Sequence, residues 1–401
     1  MSESSRVGVE SPIGIQESRP GGGALLVAAF VLLSLNMRIF FGGVGPLIPT
    51  LQLSHTAATV LTTLPPLCMG LFAPTGSALR RRIGDERALF TAMAVLVVGI
   101  VIRSGGTAGL FAGTIVAGIG VAVLNVITPV LVKKRFPPER IGVMMGVYAM
   151  MMSSGAAAIA GLSVPIYHAT GGSSAIALGV AVIPAVPALL ALGTQLRFGP
   201  DKGQAGAPAQ WSGLLRNRTA WSVTGFFGLQ SLMLYTIFAW LPTIYVAKGI
   251  DAATAGLYLS LCVIAVSAGG FFGPSLAGHK PDQRPHVMVT VVLCFVGITG
   301  VLVAPVSMAP VWVVILGVGL GAGQGIPGVL YVARTRDRQT AAQLSSMAQT
   351  VGYVIAATGP LLTAALFSVT GSWTLPLVVL LALLVVNMVI SMPAGRNHTI
   401  G

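Results

Sequence analysis

The chain has 401 residues, of which 54% are hydrophobic and only 8% charged, whereas an ordinary soluble domain carries about a quarter charged residues. Such a chain cannot cover itself with polar surface in water, so a row of soluble domains is excluded in favour of one polytopic membrane unit. The formal charge of +13 does not point to nucleic acid, because the cations sit in short clusters between apolar segments, where orientation in a bilayer accounts for them.

Residues 1–21 are polar and rich in Ser, Gly and Glu. The apolar run that follows is too long for a signal-peptide core, so this stretch is predicted to be a cytoplasmic tail. Apolar spans then run over approximately 22–48, 55–79, 88–104, 107–132, 141–167, 173–196, 219–245, 252–278, 286–304, 309–333, 340–368 and 372–392. Most exceed the roughly 20 residues needed to cross the hydrocarbon. A strand barrel would need shorter segments alternating apolar and polar, so helices are the remaining way to satisfy the backbone in lipid. The predicted fold is an all-α membrane protein of twelve transmembrane helices. Residues 197–218 are rich in Gly, Ala, Pro and charge and read as a cytoplasmic linker. They divide a six-helix bundle at 22–196 from a second at 219–393, with 394–401 as a second cytoplasmic tail.

Lys and Arg cluster in alternate connections: Arg80, Arg81, Arg82 and Arg87; Lys133, Lys134, Arg135 and Arg140; Arg197, Lys202, Arg216 and Arg218; Lys280 and Arg284; Arg334, Arg336 and Arg338. The other connections hold only Arg103 and Lys248. The positive-inside rule therefore puts both termini in the cytoplasm, and Arg103 is expected to snorkel to the interface. Cys68, Cys262 and Cys294 all fall inside apolar spans and are odd in number, so they read as packing residues rather than disulfide partners. Two six-helix halves joined by a linker is the plan of transporters that rock around a midplane site. No short, interrupted apolar segment suggests a selectivity filter.

Arg38 stands eleven residues before Pro49 at the end of the first span, which places it roughly 16 Å down, near the midplane. The ten acids are Glu3, Glu10, Glu17, Asp85, Glu86, Glu139, Asp201, Asp251, Asp282 and Asp337, and each lies in a tail, a loop or a helix end. Arg38 thus has no carboxylate at its own depth. Its planar donor fork suits a carboxylate or similar anion, and intramembrane ionisable groups are candidates for function. The structural alternative is that helix carbonyls and neutral groups such as Asn36 or a glutamine hold it.

Further substrate-binding candidates at middle depths are Asn125, Gln230, Tyr235, Gln324, Gln349, Tyr353 and Tyr148, with Asn36 ranked below them. Each has the alternative of stapling helices together. Trp240 is a candidate gate, although aromatics near helix ends also anchor at the headgroups. His168 is a candidate proton site, with a solvated surface histidine as its plainer reading. Gly317, Gly321 and Gly325 recur every four residues and predict close helix approach, with Gly319 and Gly323 on another face. Prolines at 46, 49, 65, 66, 74, 129, 165, 242, 274, 327 and 360 are candidate kinks. Mid-membrane acids and histidines are lacking, so no enzyme activity, metal or cofactor is expected.

Several local motifs carry a resemblance. The first span reads Leu35-Asn36-Met37-Arg38 and then Val44-Gly45-Pro46-Leu47-Ile48-Pro49; the second carries Leu61-Thr62-Thr63-Leu64-Pro65. Lys133-Lys134-Arg135-Phe136 follows the fourth span, Ala239-Trp240-Leu241-Pro242 lies in the seventh, and Gly352-Tyr353 and Gly359-Pro360 in the eleventh. Across essentially its whole length the chain resembles the cyanate and nitroimidazole transporter branch of the major facilitator superfamily. The resemblance implies the major facilitator fold, a cavity lined by helices 1, 4, 7 and 10, a small solute as cargo and a monomer in the bacterial inner membrane. It does not imply a transport direction; beside it, Arg38 favours a small monovalent anion, cyanate-like or carboxylate, with or without protons, and the alternative is a transporter or exporter of a small neutral heterocycle such as 2-nitroimidazole. The superfamily's Gly-x-x-x-Asp-Arg-x-Gly loop is degenerate here: in Ser77–Gly84 only Arg82 and Gly84 fit. The matching loop of the second half, from Leu276 to Lys280, is degenerate too. The fifth span, Gly155 to Gly161, lacks the Gly-Pro-x-x-Gly-Gly pattern of drug/proton antiporters.

Overall fold

A computed structural model describes residues 23–136, 138–198, 211, 213–278, 280–336 and 338–400. The predicted N-terminal tail and most of the predicted linker lie outside them. The described residues form helices with only one isolated β-bridge. The first half comprises α1 (Gly23–Gly42), α2 (Val44–Leu47), α3 (His55–Ile83), α4 (Asp85–Ile102), α5 (Gly106–Arg135), α6 (Pro138–Ala169), α7 (Ser174–Gly179) and α8 (Val182–Gly193). The second comprises α9 (Arg218–Ala247), α10 (Ala252–Gly278), α11 (Arg284–Val303), α12 (Ala309–Ala333), α13 (Arg338–Thr370) and α14 (Thr374–Gly395). Eleven spans among the described residues are long and apolar enough to cross a membrane. The twelfth is α4, whose first turn carries Asp85 and Glu86.

Two predicted spans are each built from two helices. The first breaks between α1 and α2 at Gly43, and the sixth between α7 and α8 at Val180 and Ala181. The prolines inside α3, α6, α9, α10, α12 and α13 do not end their helices.

Small residues set the spacing around α1 and α2. A Cβ on Gly155 would lie 2.1 Å from the Leu35 carbonyl, and one on Gly42 would lie 2.9 Å from that of Ala156, so α1 runs hard against α6. A Cβ on Gly45 would lie 2.3 Å from the Phe238 carbonyl, which brings α2 equally close to α9 of the other half. Ser260 on α10 donates to the Ala157 carbonyl on α6 at 2.7 Å, and a Cβ on Gly256 would meet the Ala160 carbonyl at 2.9 Å. On α3, Gly70 faces Tyr353 and Val354 of α13. These contacts between halves lie at mid-depth or toward the end that carries the connections poor in Lys and Arg. At that end the halves are closed on each other.

Within the second half, α10 and α12 share a backbone seam. A Cβ would stand 2.3 Å from the Cys262 carbonyl on Gly317, 1.9 Å from the Val266 carbonyl on Gly321, and 2.3 Å from Pro274 Cγ on Gly325. Gly319 and Gly323 use another face, against Cys294 of α11 and Gln230 of α9. The spacing of four thus brings the helix backbones together as the glycine pattern predicts.

Charges are absorbed locally. Asp85 and Glu86 are buried and pair with Arg80 and Arg135, at the end of the first half that carries its basic connections. These pairs occupy the place of the degenerate loop signature.

Arg103 departs from expectation. It is only 2% exposed, and instead of snorkelling it donates through Nη1 to the Phe40 carbonyl. The break after Gly42 ends α1, leaving its last carbonyls without intrahelical donors and its C-terminal dipole favouring a cation. Gly113 makes the room: a Cβ there would lie 2.6 Å from Arg103 Cγ. Lys248 is used similarly, donating to the Val301 carbonyl and, at 3.2 Å, to that of Leu302 at the end of α11.

Candidate functional site

Arg38 lies one turn before the end of α1 and is half-buried. Its Nε is buried without a hydrogen-bond partner. No acid among the described residues pairs with it. An unsatisfied buried donor costs about 1–3 kcal/mol, and more when charged. Nε therefore has no acceptor among the described residues.

Tyrosines from both halves lie within electrostatic reach of this charge. It acts electrostatically on Tyr148 of α6, Tyr235 of α9 and Tyr353 of α13. The Tyr148 hydroxyl donates to Asn125 Oδ1 of α5 at 3.2 Å. The Tyr235 hydroxyl lies 3.0 Å from Met69 Sδ of α3, across the boundary between halves. The Tyr353 ring stands edge-on to Tyr235, centroids 6.2 Å apart, and to Phe227 of α9 at 5.3 Å. A cation, an amide and a phenol from the first half thus face two phenols from the second. Such a site offers a guanidinium fork, hydroxyl donors and aromatic faces, but no carboxylate.

The structure brings together Arg38, Asn125, Tyr148, Tyr235 and Tyr353. The hydrogen bonds and packing of the other candidates run to other partners. Asn36 is fully buried, and its Nδ2 donates to the Leu32 carbonyl at 2.8 Å and to that of Pro184 on α8 at 3.0 Å. Two residues of helix turn it about 200° from Arg38, and it ties α1 to α8. Gln230, also fully buried, packs against Gly323 and accepts from Cys294 Sγ at 3.7 Å. Gln324 is half-buried and donates through Nε2 to Ser231 of α9 at 3.2 Å. Gln349 is half-buried and donates to Ser345 of its own helix at 2.9 Å. Trp240 is 1% exposed; its Nε1 donates to the Pro360 carbonyl at 3.3 Å, and its ring packs on Trp373 with centroids 5.5 Å apart. His168 is exposed at the end of α6, edge-on to Tyr167.

Met69 and Phe227 belong to the surroundings of the site and were not among the sequence candidates. Nothing in an apolar span distinguishes such residues from core, because their role depends on which helices meet.

Residues 26–360 match the Major Facilitator Superfamily. The chain is 36% identical over 381 residues, 94% of its own length and 94% of the relative's, to the uncharacterized transporter YycB of Bacillus subtilis. It is 33% identical to the 2-nitroimidazole transporter of Escherichia coli over 94% of this chain and 96% of that protein. It is 27% identical to the cyanate transport protein CynX of the same organism over 87% and 91%. In fold it is similar to a bacterial homolog of the human lysosomal transporter Spinster, solved inward-facing and unoccupied. That likeness has a TM-score of 0.74 at 16% identity and covers 96% of this chain and 98% of the other. Eleven to twelve membrane-length helices among the described residues, a sequence match over most of the chain and relatives that are transporters lead to one conclusion: this multi-pass membrane protein is a transporter of the major facilitator superfamily, not an enzyme.

Proposed function

We propose that the protein carries a small monovalent anion, cyanate-like or a carboxylate, by alternating access, with Arg38 as the counter-charge. The observation that carries this reading is the buried, unpartnered Nε of Arg38. An anionic cargo supplies both the missing charge and the missing acceptor. Asn125, Tyr148, Tyr235 and Tyr353 complete the site, and because they come from both halves, a bound solute is sensed by both. The closure of the end poor in Lys and Arg supports an inward-facing state, with both termini cytoplasmic by the positive-inside rule. The cargo crosses as a monomeric transporter's solute in the bacterial inner membrane. Gln324, Gln349, Gln230 and Asn36 act through helix packing, and Trp240 closes its end from within the second bundle. Any coupled proton travels with a weakly acidic cargo or through the exposed His168.

A second reading, a neutral heterocycle such as 2-nitroimidazole, draws on the aromatic faces of Tyr353, Tyr235 and Phe227 and on the name of the 33% identical relative. Arg38→Gln in purified protein separates the two. Losing a partner of a buried charged pair costs about 2–5 kcal/mol, roughly a 30-fold or greater rise in Kd for cyanate or benzoate, while 2-nitroimidazole binding changes little. If no tested anion loses affinity and 2-nitroimidazole still binds, the anion reading is wrong. Uptake into proteoliposomes of both solute classes, with and without a pH gradient, then reports direction and coupling.

A further inference from the structure

Toward the basic end of the first half, a groove of about 430 Å³ runs between α3, α4 and α5. Its floor is α5, and the glycines of that helix account for its shape. A Cβ on Gly118 would lie 2.8 Å from Cys68 Cβ of α3, and one on Gly120 would lie 2.7 Å from the Ala92 carbonyl of α4. Both neighbours are thereby drawn onto α5, and they pack on it far more than on each other. The cleft left between them is apolar along its length, lined by Phe72 and Ala78 of α3, Val95 of α4 and Val123 of α5.

The groove has a charged end. Arg82 lines it at one limit and Phe72 at the other, and the helix between them covers about 15 Å. That is the depth of one leaflet of a roughly 30 Å hydrocarbon core. The apolar span of α3 closes at Arg80, so Arg82 stands at headgroup level. The acids of this end, Asp85 and Glu86, are buried and paired with Arg80 and Arg135. Arg82 is exposed, no acid among the described residues pairs with it, and no carboxylate lines the groove. Arg87, close by in sequence, is exposed as well.

We propose that this groove is a binding site for a phospholipid with an anionic headgroup. One acyl chain lies along Ala78, Val95 and Val123, and the phosphate takes the Arg82 fork. A zwitterionic headgroup would bring its own ammonium among exposed arginines, whereas an anionic one meets only attraction. The chain tip reaches Phe72, one turn from Met69, whose sulfur meets the Tyr235 hydroxyl across the boundary between halves. A seated lipid therefore braces the helix that brings Met69 to the candidate site.

The test gives full-length protein in mild detergent an equimolar mixture of phosphatidylglycerol and phosphatidylcholine with matched chains, and native mass spectrometry counts the lipids retained. Preferential retention of phosphatidylglycerol is expected. Arg82→Gln is expected to weaken it about tenfold, while Arg87→Gln, at the same end but outside the groove, leaves it in place. Both side chains are exposed, so neither variant is expected to shift the melting midpoint of lipid-free protein. Ala78→Leu keeps the charge and fills the cleft: it is expected to weaken long-chain phosphatidylglycerol and to spare a short-chain form held by its headgroup. The proposal is overturned if phosphatidylglycerol is retained no better than phosphatidylcholine, or if Arg82→Gln has no greater effect than Arg87→Gln, which marks a diffuse basic surface. It is equally overturned if Ala78→Leu leaves long-chain retention unchanged.

Discussion

Gly45 separates a transporter held closed by packing from one merely folded in that shape. A Cβ at this position would lie 2.3 Å from the Phe238 carbonyl and 3.3 Å from that of Ala239, both backbone atoms of the opposite half. Neither acceptor rotates away, so Gly45→Ala forces the halves about 1 Å apart at this point, and overpacking of that kind costs about 1–3 kcal/mol. The cost falls on the closed arrangement alone, because the clash disappears when α2 and α9 separate. The equilibrium therefore shifts toward opening at this end by about 5- to 150-fold. Pulsed electron–electron resonance between labels on Ala169 and Ala247, exposed on opposite halves at the same end, is expected to show a longer-distance population. The native cysteines are all buried and do not compete for label. Gly99→Ala is the control: its Cβ would lie 2.4 Å from the Ala117 nitrogen, within one bundle, so it lowers thermal stability and leaves the distance distribution alone. If Gly45→Ala also loses stability with no change in distance, this contact does not hold the end shut.

Three further outcomes follow from particular contacts. Tyr148→Phe removes the hydroxyl that bonds Asn125; solute affinity is expected to fall about 2- to 10-fold, with little change in thermal midpoint, as measured by binding and melting on the same sample. Asn217 accepts from the N–H groups of Thr219 and Ala220 at the start of α9, so Asn217→Ala costs about 1 kcal/mol of stability, and Asn217→Asp restores most of it in detergent melts. Arg334 is fully buried and donates to the carbonyls of Ala394 and Gly395 and to Gln283, while Ile400 donates to its own carbonyl at 2.7 Å. Arg334→Met is expected to cost about 1–3 kcal/mol for each group left unpaired and to expose the end of the chain to carboxypeptidase.

The helix plan was legible because lipid leaves the backbone no alternative, and each long apolar run had to become a span. The breaks at Gly43 and Val180 were not, since small apolar residues read alike whether a helix continues or stops. Arg38 could be singled out by elimination: the acids of the chain are named by position, and none falls at its depth. The tyrosines that approach it were legible only as polar groups at middle depth, because their convergence depends on how the halves meet. The same depth argument nominated Gln230, and only the packing shows it received by Gly323 and Cys294. Arg103 sat at the end of a span, where snorkelling is the cheaper course; what drew it inward was the premature end of α1 and the gap at Gly113. Neither is visible in the local sequence.

The backbone seam between α10 and α12 bears on how this transporter can vary over time. At Gly317, Gly321 and Gly325 the neighbour is carbonyl or ring rather than a side chain able to swing aside, so compensating changes across the seam are hard to find. Substitutions in the second half are tolerated best at exposed positions such as Phe271, Phe272 and Leu276 on α10. A side chain added at any of these three glycines pushes α10 and α12 apart along their whole contact, whereas the exposed side chains of α10 are replaceable without touching it.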